Sequence, residues 1–183
     1  VFFLSNNSSN SKSNYVNKLD KFDIEMEKED IILSTDSVIN YLKASGKESI
    51  FLLGTSEMRD EIEDSGITVE TNSPDAVVVG FDKELNYRKL ETAALLNQRG
   101  VPIILAHSDK FCPTDRGRIP DAGSIVKTLL STTGNELEKT CGKPNGEMIQ
   151  SEITEEDNVL VIGDRLSTDI KLAENVSATS ICV

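Results

Sequence analysis

The 183 residues carry 31 acidic side chains against 19 basic ones, a formal charge of -12. Such a chain repels nucleic-acid phosphates and anionic lipid, which excludes DNA, RNA and membrane-surface partners. Three separated cysteines, Cys112, Cys141 and Cys182, and the single histidine, His107, exclude a disulfide framework, a zinc knuckle and any multi-histidine metal site, and favour a reducing, cytoplasmic setting.

Apolar runs of strand length recur along the chain at "VFFL" (1 to 4), "SIFLL" (49 to 53), "AVVVG" (76 to 80), "VPIILA" (101 to 106), "VLVIG" (159 to 163) and "TSICV" (179 to 183). They are continuous rather than alternating, which predicts strands buried on both faces of a parallel sheet. None approaches membrane-spanning length. Between them lie apolar residues at helical spacing: Val38, Ile39, Tyr41 and Leu42; Leu90, Ala93, Ala94 and Leu95; Ile125, Val126, Leu129 and Leu130. Gly46, Gly66, Gly100 and Gly134 punctuate the passages back to strand. The alternation says α/β, in one ordinary domain or two small ones that share a segment. Tyr41, Phe51, Phe81 and Tyr87 are expected in the core or at its edge, and the acidic runs at 25 to 30 and 153 to 158 in solvent.

Small polar residues follow several of these strands directly. The run from Ser5 to Ser11 comes straight after "VFFL", "GTSE" covers 54 to 57, and "GDRLSTD" covers 163 to 169. A flexible linker is the plain reading of a Ser/Asn tract, but in open α/β sheets ligands bind beyond the carboxyl ends of the strands. In "VLVIGDRLSTDI" the strand ends at Gly163, Asp164 stands at its tip, and Ser167 or Thr168 is placed to cap a helix whose first turn holds Asp169. Two acids at one strand tip repel by roughly 4 kcal/mol at about 4 Å and an effective dielectric of about 20. A bound cation removes that cost, and magnesium suits the site because it completes its shell with water and substrate phosphate. In "CGKPNGEM" Lys143 lies between a glycine and Pro144, with a helix expected to start just after it. An ammonium fixed in such a turn is a point charge suited to phosphate oxygens. Ser5 and the backbone N-H groups that follow it could donate to the same oxygens.

The ordered set resembles the haloacid dehalogenase-like (HAD) phosphohydrolases. Ser5 in "FFLSNN" is similar to their second motif, Lys143 in "GKP" to their third, and Asp164 with Asp169 in "GDRLSTD" to their fourth. "LSTDSVINYL" (33 to 42), "SPDAVVVGFDKELNYRKL" (73 to 90) and "AHSDKFCPTDRGRIPDAGS" (106 to 124) resemble the para-nitrophenyl phosphatase and NagD-like branch, which carries an α/β cap between the second and third motifs. The sequence departs from that pattern at His107 and Ser108, where Asn and Pro are usual, and at Asp121, where Gly is usual.

The resemblance implies a Rossmann-like parallel-sheet core of residues 1–34 plus 139–183 and an α/β cap of residues 35–138. It implies a magnesium-dependent hydrolase of small phosphorylated metabolites, with pairing of copies through the cap. Ser5 would donate to phosphate oxygens, Lys143 would stabilise charge, Asp164 would bind Mg2+, and Asp169 would anchor the site through water or a neighbour. Asn6 and Asn7 are expected to orient phosphate or substrate. His107 would either contact substrate or satisfy a backbone carbonyl. The family's attacking carboxylate lies in an Asp-x-Asp-x-Thr motif, and no such motif occurs in these residues. The expectation is therefore of a fragment, truncated at both ends and inactive by itself; the alternative is a nucleophile-free module that binds a phosphorylated ligand.

Overall fold

The computed structural model describes residues 1–154 and 156–183, so Glu155 of the second acidic run lies outside the described residues. In chain order the elements are β1 (Phe3–Ser5), α1 (Lys12–Asp20), β2 (Ile31–Leu33), α2 (Ser34–Ala44), β3 (Ser49–Leu53), α3 (Ser56–Asp64), β4 (Thr68–Val69), β5 (Ala76–Val79), α4 (Tyr87–Gln98) and β6 (Ile103–Leu105). There follow β7 (Phe111–Thr114), β8 (Gly117–Pro120), α5 (Ala122–Thr133), β9 (Leu137–Thr140), β10 (Leu160–Gly163), one turn of π-helix (Leu166–Ile170), α6 (Lys171–Asn175) and β11 (Thr179–Cys182).

Strands β4, β3, β5, β6 and β9, in that spatial order, make a five-stranded sheet in which every pairing is parallel. Strand side chains alternate between faces, so each apolar run feeds two cores at once. Ile50, Leu52, Val78 and Ile104 pack on one face against Val38 and Leu42 of α2 and Met58 and Ile62 of α3. Phe51, Leu53, Val77, Val79, Ile103 and Leu105 pack on the other against Ala93 and Leu96 of α4 and Ile125, Val126 and Leu129 of α5. This double coverage is why these runs are continuously apolar. The helices start where a side chain accepts a free backbone N-H: Thr55 Oγ1 from Met58 and Asn86 Oδ1 from Lys89. Helix α5 ends on Gly134 at φ 73°, a left-handed conformation that glycine adopts without a Cβ penalty.

Two further parallel pairs form sheets of their own, β1 with β2 and β10 with β11. Phe3, Tyr15, Ile31 and Leu33 pack together behind the first pair, and Ile32, Met148, Ile149 and Leu172 form a cluster beside it. Strands β7 and β8 form an antiparallel hairpin. The expected boundary between residues 138 and 139 falls inside β9, which leads directly towards Lys143.

Some expectations are corrected. Strands β10 and β11 are not buried on both faces: Leu160, Ile162 and Ile181 are exposed, because no helix covers that side of the pair among the described residues. Tyr87 is exposed at the start of α4 rather than in the core, whereas Phe51 and Phe81 are buried. Neither Ser167 nor Thr168 caps a helix; the π-helical turn begins after Arg165 with no side-chain cap. After Lys143 there is only a single 3-10 turn, Gly146–Met148. No helix among the described residues is long and apolar enough to cross a membrane.

Candidate active site

The carboxyl ends of β1, β6, β9 and β10 open onto one cavity of about 220 Å³, where parallel strands leave their last backbone groups unpaired and the chain turns away. Ser5, Asn6, Asn7, Lys143, Asp164 and Asp169 all line it, so six of the seven expected residues meet at one place although they are up to 164 positions apart. His107 is the seventh. It is completely buried and lies behind the cavity wall.

Ser5 is the last residue of β1, and its Oγ accepts from the backbone N-H of Asn7 (3.1 Å) and shares a hydrogen bond with the Tyr15 hydroxyl (2.9 Å). Asn7 Oδ1 accepts from the N-H and hydroxyl of Ser9 (2.9 and 2.7 Å), which folds the Ser/Asn tract into a turn rather than a linker. Asn6 is almost wholly spent on protein. Its Oδ1 accepts from the Lys143 N-H (2.7 Å), and its Nδ2 donates to the Lys143 carbonyl and to Asp109 Oδ2 (3.1 Å each). Gly142, at φ 68°, makes this clip possible, since a Cβ there would lie 2.7 Å from Asn6 Oδ1.

The Lys143 ammonium is held between the Asp169 carboxylate (Nζ to Oδ1, 2.7 Å) and the Leu4 carbonyl (3.1 Å). Both side chains of this ion pair are close to nine-tenths buried, so they are screened far less than a surface pair. Asp169 Oδ2 also accepts from the Arg165 N-H (3.2 Å). A Cβ on Gly163 would collide with Asp169, so that position must be glycine for the acid to swing under β10. Asp164 is exposed at the tip of β10, and its carboxylate has no hydrogen-bond or ion-pair partner among the described residues. No third His, Cys, Asp or Glu is grouped with these two acids as a metal cage among the described residues. Carboxylate oxygens beside a phosphate-sized cavity nevertheless fit magnesium, which takes one or two protein carboxylates and leaves its other positions to water and phosphate.

Two side chains that the sequence reading passed over complete the wall. Asp109, four residues beyond β6, accepts from Asn6 and is paired with the Arg165 guanidinium (Nη1 to Oδ1, 3.3 Å). Burial alone would raise its carboxyl, but the imidazole of His107, the Asn6 amide and the Arg165 charge outweigh it and hold the group below the usual carboxylate value. Asp121, the N-cap of α5, is raised instead: burial prevails over the pull of His107 and of the Ala122 N-H. Asp109 and Arg165 lie inside the segments 106 to 124 and 163 to 169 already quoted, and could have been found by treating every polar residue within a few positions of a strand's carboxyl end as a candidate.

Comparison with known proteins bears on the family and the fold. A haloacid dehalogenase-like hydrolase model matches residues 1–68 and a HAD-hydrolase-like model matches residues 140–183. A 4-nitrophenylphosphatase of Schizosaccharomyces pombe is 30% identical over 205 residues, covering 96% of this chain and 68% of the relative. The crystal structure of a 4-nitrophenylphosphatase from Thermotoga maritima superposes with a TM-score of 0.93 at 35% identity, covering 99% of this chain and 71% of the other. A glycerol phosphate phosphatase from Mycobacterium tuberculosis, crystallised with magnesium, superposes with a TM-score of 0.91 at 28% identity, covering 99% of this chain and 57% of that one.

Proposed function

Since the chain belongs to the haloacid dehalogenase-like hydrolases, we propose that its cavity is the phosphate- and magnesium-holding part of a phosphomonoester hydrolase acting on small phosphorylated metabolites. The observation that carries this reading is the convergence of Ser5, Lys143, Asp164 and Asp169 on one cavity, with the Lys143 ammonium pinned at its mouth. In this reading residues 35–138 are the cap and the remainder the core, and closing the two over a substrate excludes water and selects the leaving group.

The residues divide the work. Ser5 Oγ shares a hydrogen bond with the Tyr15 hydroxyl in which either can donate, and in the arrangement where Tyr15 donates the Ser5 proton is free for a phosphate oxygen. Lys143 sets a positive charge where negative charge builds during phosphoryl transfer, and Asp169 with the Leu4 carbonyl keeps that ammonium from wandering. Asn6 orients Lys143 through its backbone on both sides of the residue and so acts on the substrate at one remove. Asp164 would hold magnesium, which when bound supplies charge stabilisation to the phosphate oxygens. A carboxylate nucleophile would divide the transfer into two easier steps. The 183 residues contain no Asp-x-Asp-x-Thr motif, so these residues by themselves bind phosphate esters and do not turn them over.

The test is binding. Inorganic phosphate titrated into the chain, followed by calorimetry with and without magnesium, should give a saturable signal that Lys143→Ala weakens by at least about tenfold, as expected for loss of a charge-assisted contact. Equal affinity in the variant would remove Lys143 from the site and the phosphatase reading with it. Turnover of para-nitrophenyl phosphate by the chain alone would overturn the reading that these residues bind phosphate esters without turning them over.

A further inference from the structure

His107 and Asp121 both stand out in the sequence, and the structure puts them together. His107 Nε2 lies 3.5 Å from Asp121 Oδ1 and 3.3 Å from the Ser8 hydroxyl. On its other side Nδ1 is 3.4 Å from Asp109 Oδ2, yet it makes no hydrogen bond among the described residues, although it is fully buried. The imidazole is thus clamped between two carboxylates that themselves face the cavity.

Charge is distributed unevenly around that cavity. Lys143 is paired with Asp169 and Arg165 with Asp109, so both cations that line it are already matched. Four carboxylates line it, those of Asp109, Asp121, Asp164 and Asp169; Asp109 and Asp169 are the ones matched by the two cations, which leaves Asp121 and Asp164 without an Arg or Lys partner. An ester group that shares the cavity with a phosphate at Lys143 therefore meets carboxylates in excess of cations, and no unmatched cation. A second anion on that group is repelled there, whereas hydroxyls find acceptors and an ammonium finds counter-charge.

From this arrangement, and resting on the reading under Proposed function, we propose that Asp109 and Asp121, on either side of His107, select phosphomonoesters whose leaving group is neutral and hydroxylated or cationic, and reject those bearing a second anionic group. The carboxylates act by touching or facing the leaving group; His107 packs between them, within 3.5 Å of each and hydrogen-bonded to neither.

The test is competitive binding to the full chain with magnesium present, using four probes: inorganic phosphate, glycerol 3-phosphate, O-phosphoethanolamine and 2-phosphoglycolate. The three esters are of similar size and differ in the charge at the far end. Glycerol 3-phosphate and phosphoethanolamine should bind about tenfold more tightly than phosphoglycolate, and Asp109→Asn combined with Asp121→Asn should shrink that ratio below about threefold. Asparagine keeps the acceptor that caps α5 at position 121 and one of the two acceptors at position 109, where Asn6 and Arg165 each donate to a different oxygen; should the double variant fail to fold, Asp121→Ser and the single Asp109→Asn carry the same comparison, with folding checked by circular dichroism. Phosphoglycolate binding as tightly as the other esters overturns the inference, as does a ratio unmoved in the folded variants. Those outcomes leave the phosphate site standing, whereas failure of all four probes to bind ends the phosphatase reading and this one together.

Discussion

Replacing Asn6 with alanine separates a residue that binds substrate from one that builds the site. Asn6 is 8% exposed, and its side chain makes three hydrogen bonds, two to the Lys143 backbone and one to Asp109. At about 1 kcal/mol net for each lost bond, the expected destabilisation is about 3 kcal/mol, with the upper side favoured because the partners stay behind, stranded and partly buried. For a chain of this length that is a fall of about 6–12 °C in Tm. Thermal and urea denaturation monitored by circular dichroism measure it, and phosphate titration on the same sample measures the site. The clip predicts that stability and phosphate affinity fall together. A second substitution, Gly142→Ala, should reproduce both effects without touching Asn6, since its Cβ would press on Asn6 Oδ1 and its φ of 68° strains any side chain. A loss of less than about 1 kcal/mol in Asn6→Ala, with phosphate affinity abolished, would refute the argument and return Asn6 to a direct role on substrate.

In the buried face of α2, Leu42→Ala removes a fully buried side chain and should cost about 2–5 kcal/mol in chemical denaturation, while Leu95→Ala on the exposed side of α4 should stay within about 1 kcal/mol. Because the folded-state carboxyl of Asp109 lies below its unfolded value of about 3.9, its contribution is present above that value and lost as pH falls through the folded one; Asp109→Asn should be destabilising at neutral pH and converge on the parent in acid. Asp121 has the opposite sign: its raised carboxyl favours folding when protonated, so the stability of Asp121→Asn relative to the parent should be greatest near neutral pH and decline as pH falls towards about 3.9. Asp164→Asn, at an exposed and unpartnered carboxylate, should leave Tm unchanged and abolish the magnesium dependence of phosphate binding; retained dependence would assign the ion elsewhere. Cys141 is buried, with its thiol pushed up to about 12, and should resist iodoacetamide in the folded chain while exposed Cys182 reacts, as mass spectrometry of the alkylated protein can read.

Local chemistry alone was enough for much of this. Continuous β-branched runs such as "AVVVG" declare a parallel sheet covered on both sides, and the glycines at 46, 66, 100 and 134 all adopt the positive φ that a helix end requires. The motif residues were also legible: Ser5, Asp164 and Asp169 follow strand-like runs, and Lys143 stands in a Gly/Pro turn and in the ordered set that the family resemblance supplies. Two strands of the fold were not legible: the apolar run of β2 is cut short by an acidic run before it and α2 directly after it, and β9, with Glu138 and Lys139, owes its place to pairing with β6. "VLVIG" and "TSICV" read as buried strands, but only the tertiary neighbours decide burial, and theirs leave Leu160, Ile162 and Ile181 in solvent.

The partners of Asp109, Asn6 and Arg165 belong to the second class as well. Which carboxylate meets a guanidinium 56 positions away and an amide 103 positions away depends on how the strand ends are stacked in space, information that no window of sequence contains. Composition and periodicity determined the α/β layers and the kinds of group available to chemistry; the packing of β1, β6, β9 and β10 decided that Asn6 would hold the lysine and that two acids would clamp the histidine. The reason is range: propensity and hydrophobic period act over a few residues, whereas ion pairs and hydrogen bonds depend on distances that only the assembled fold defines.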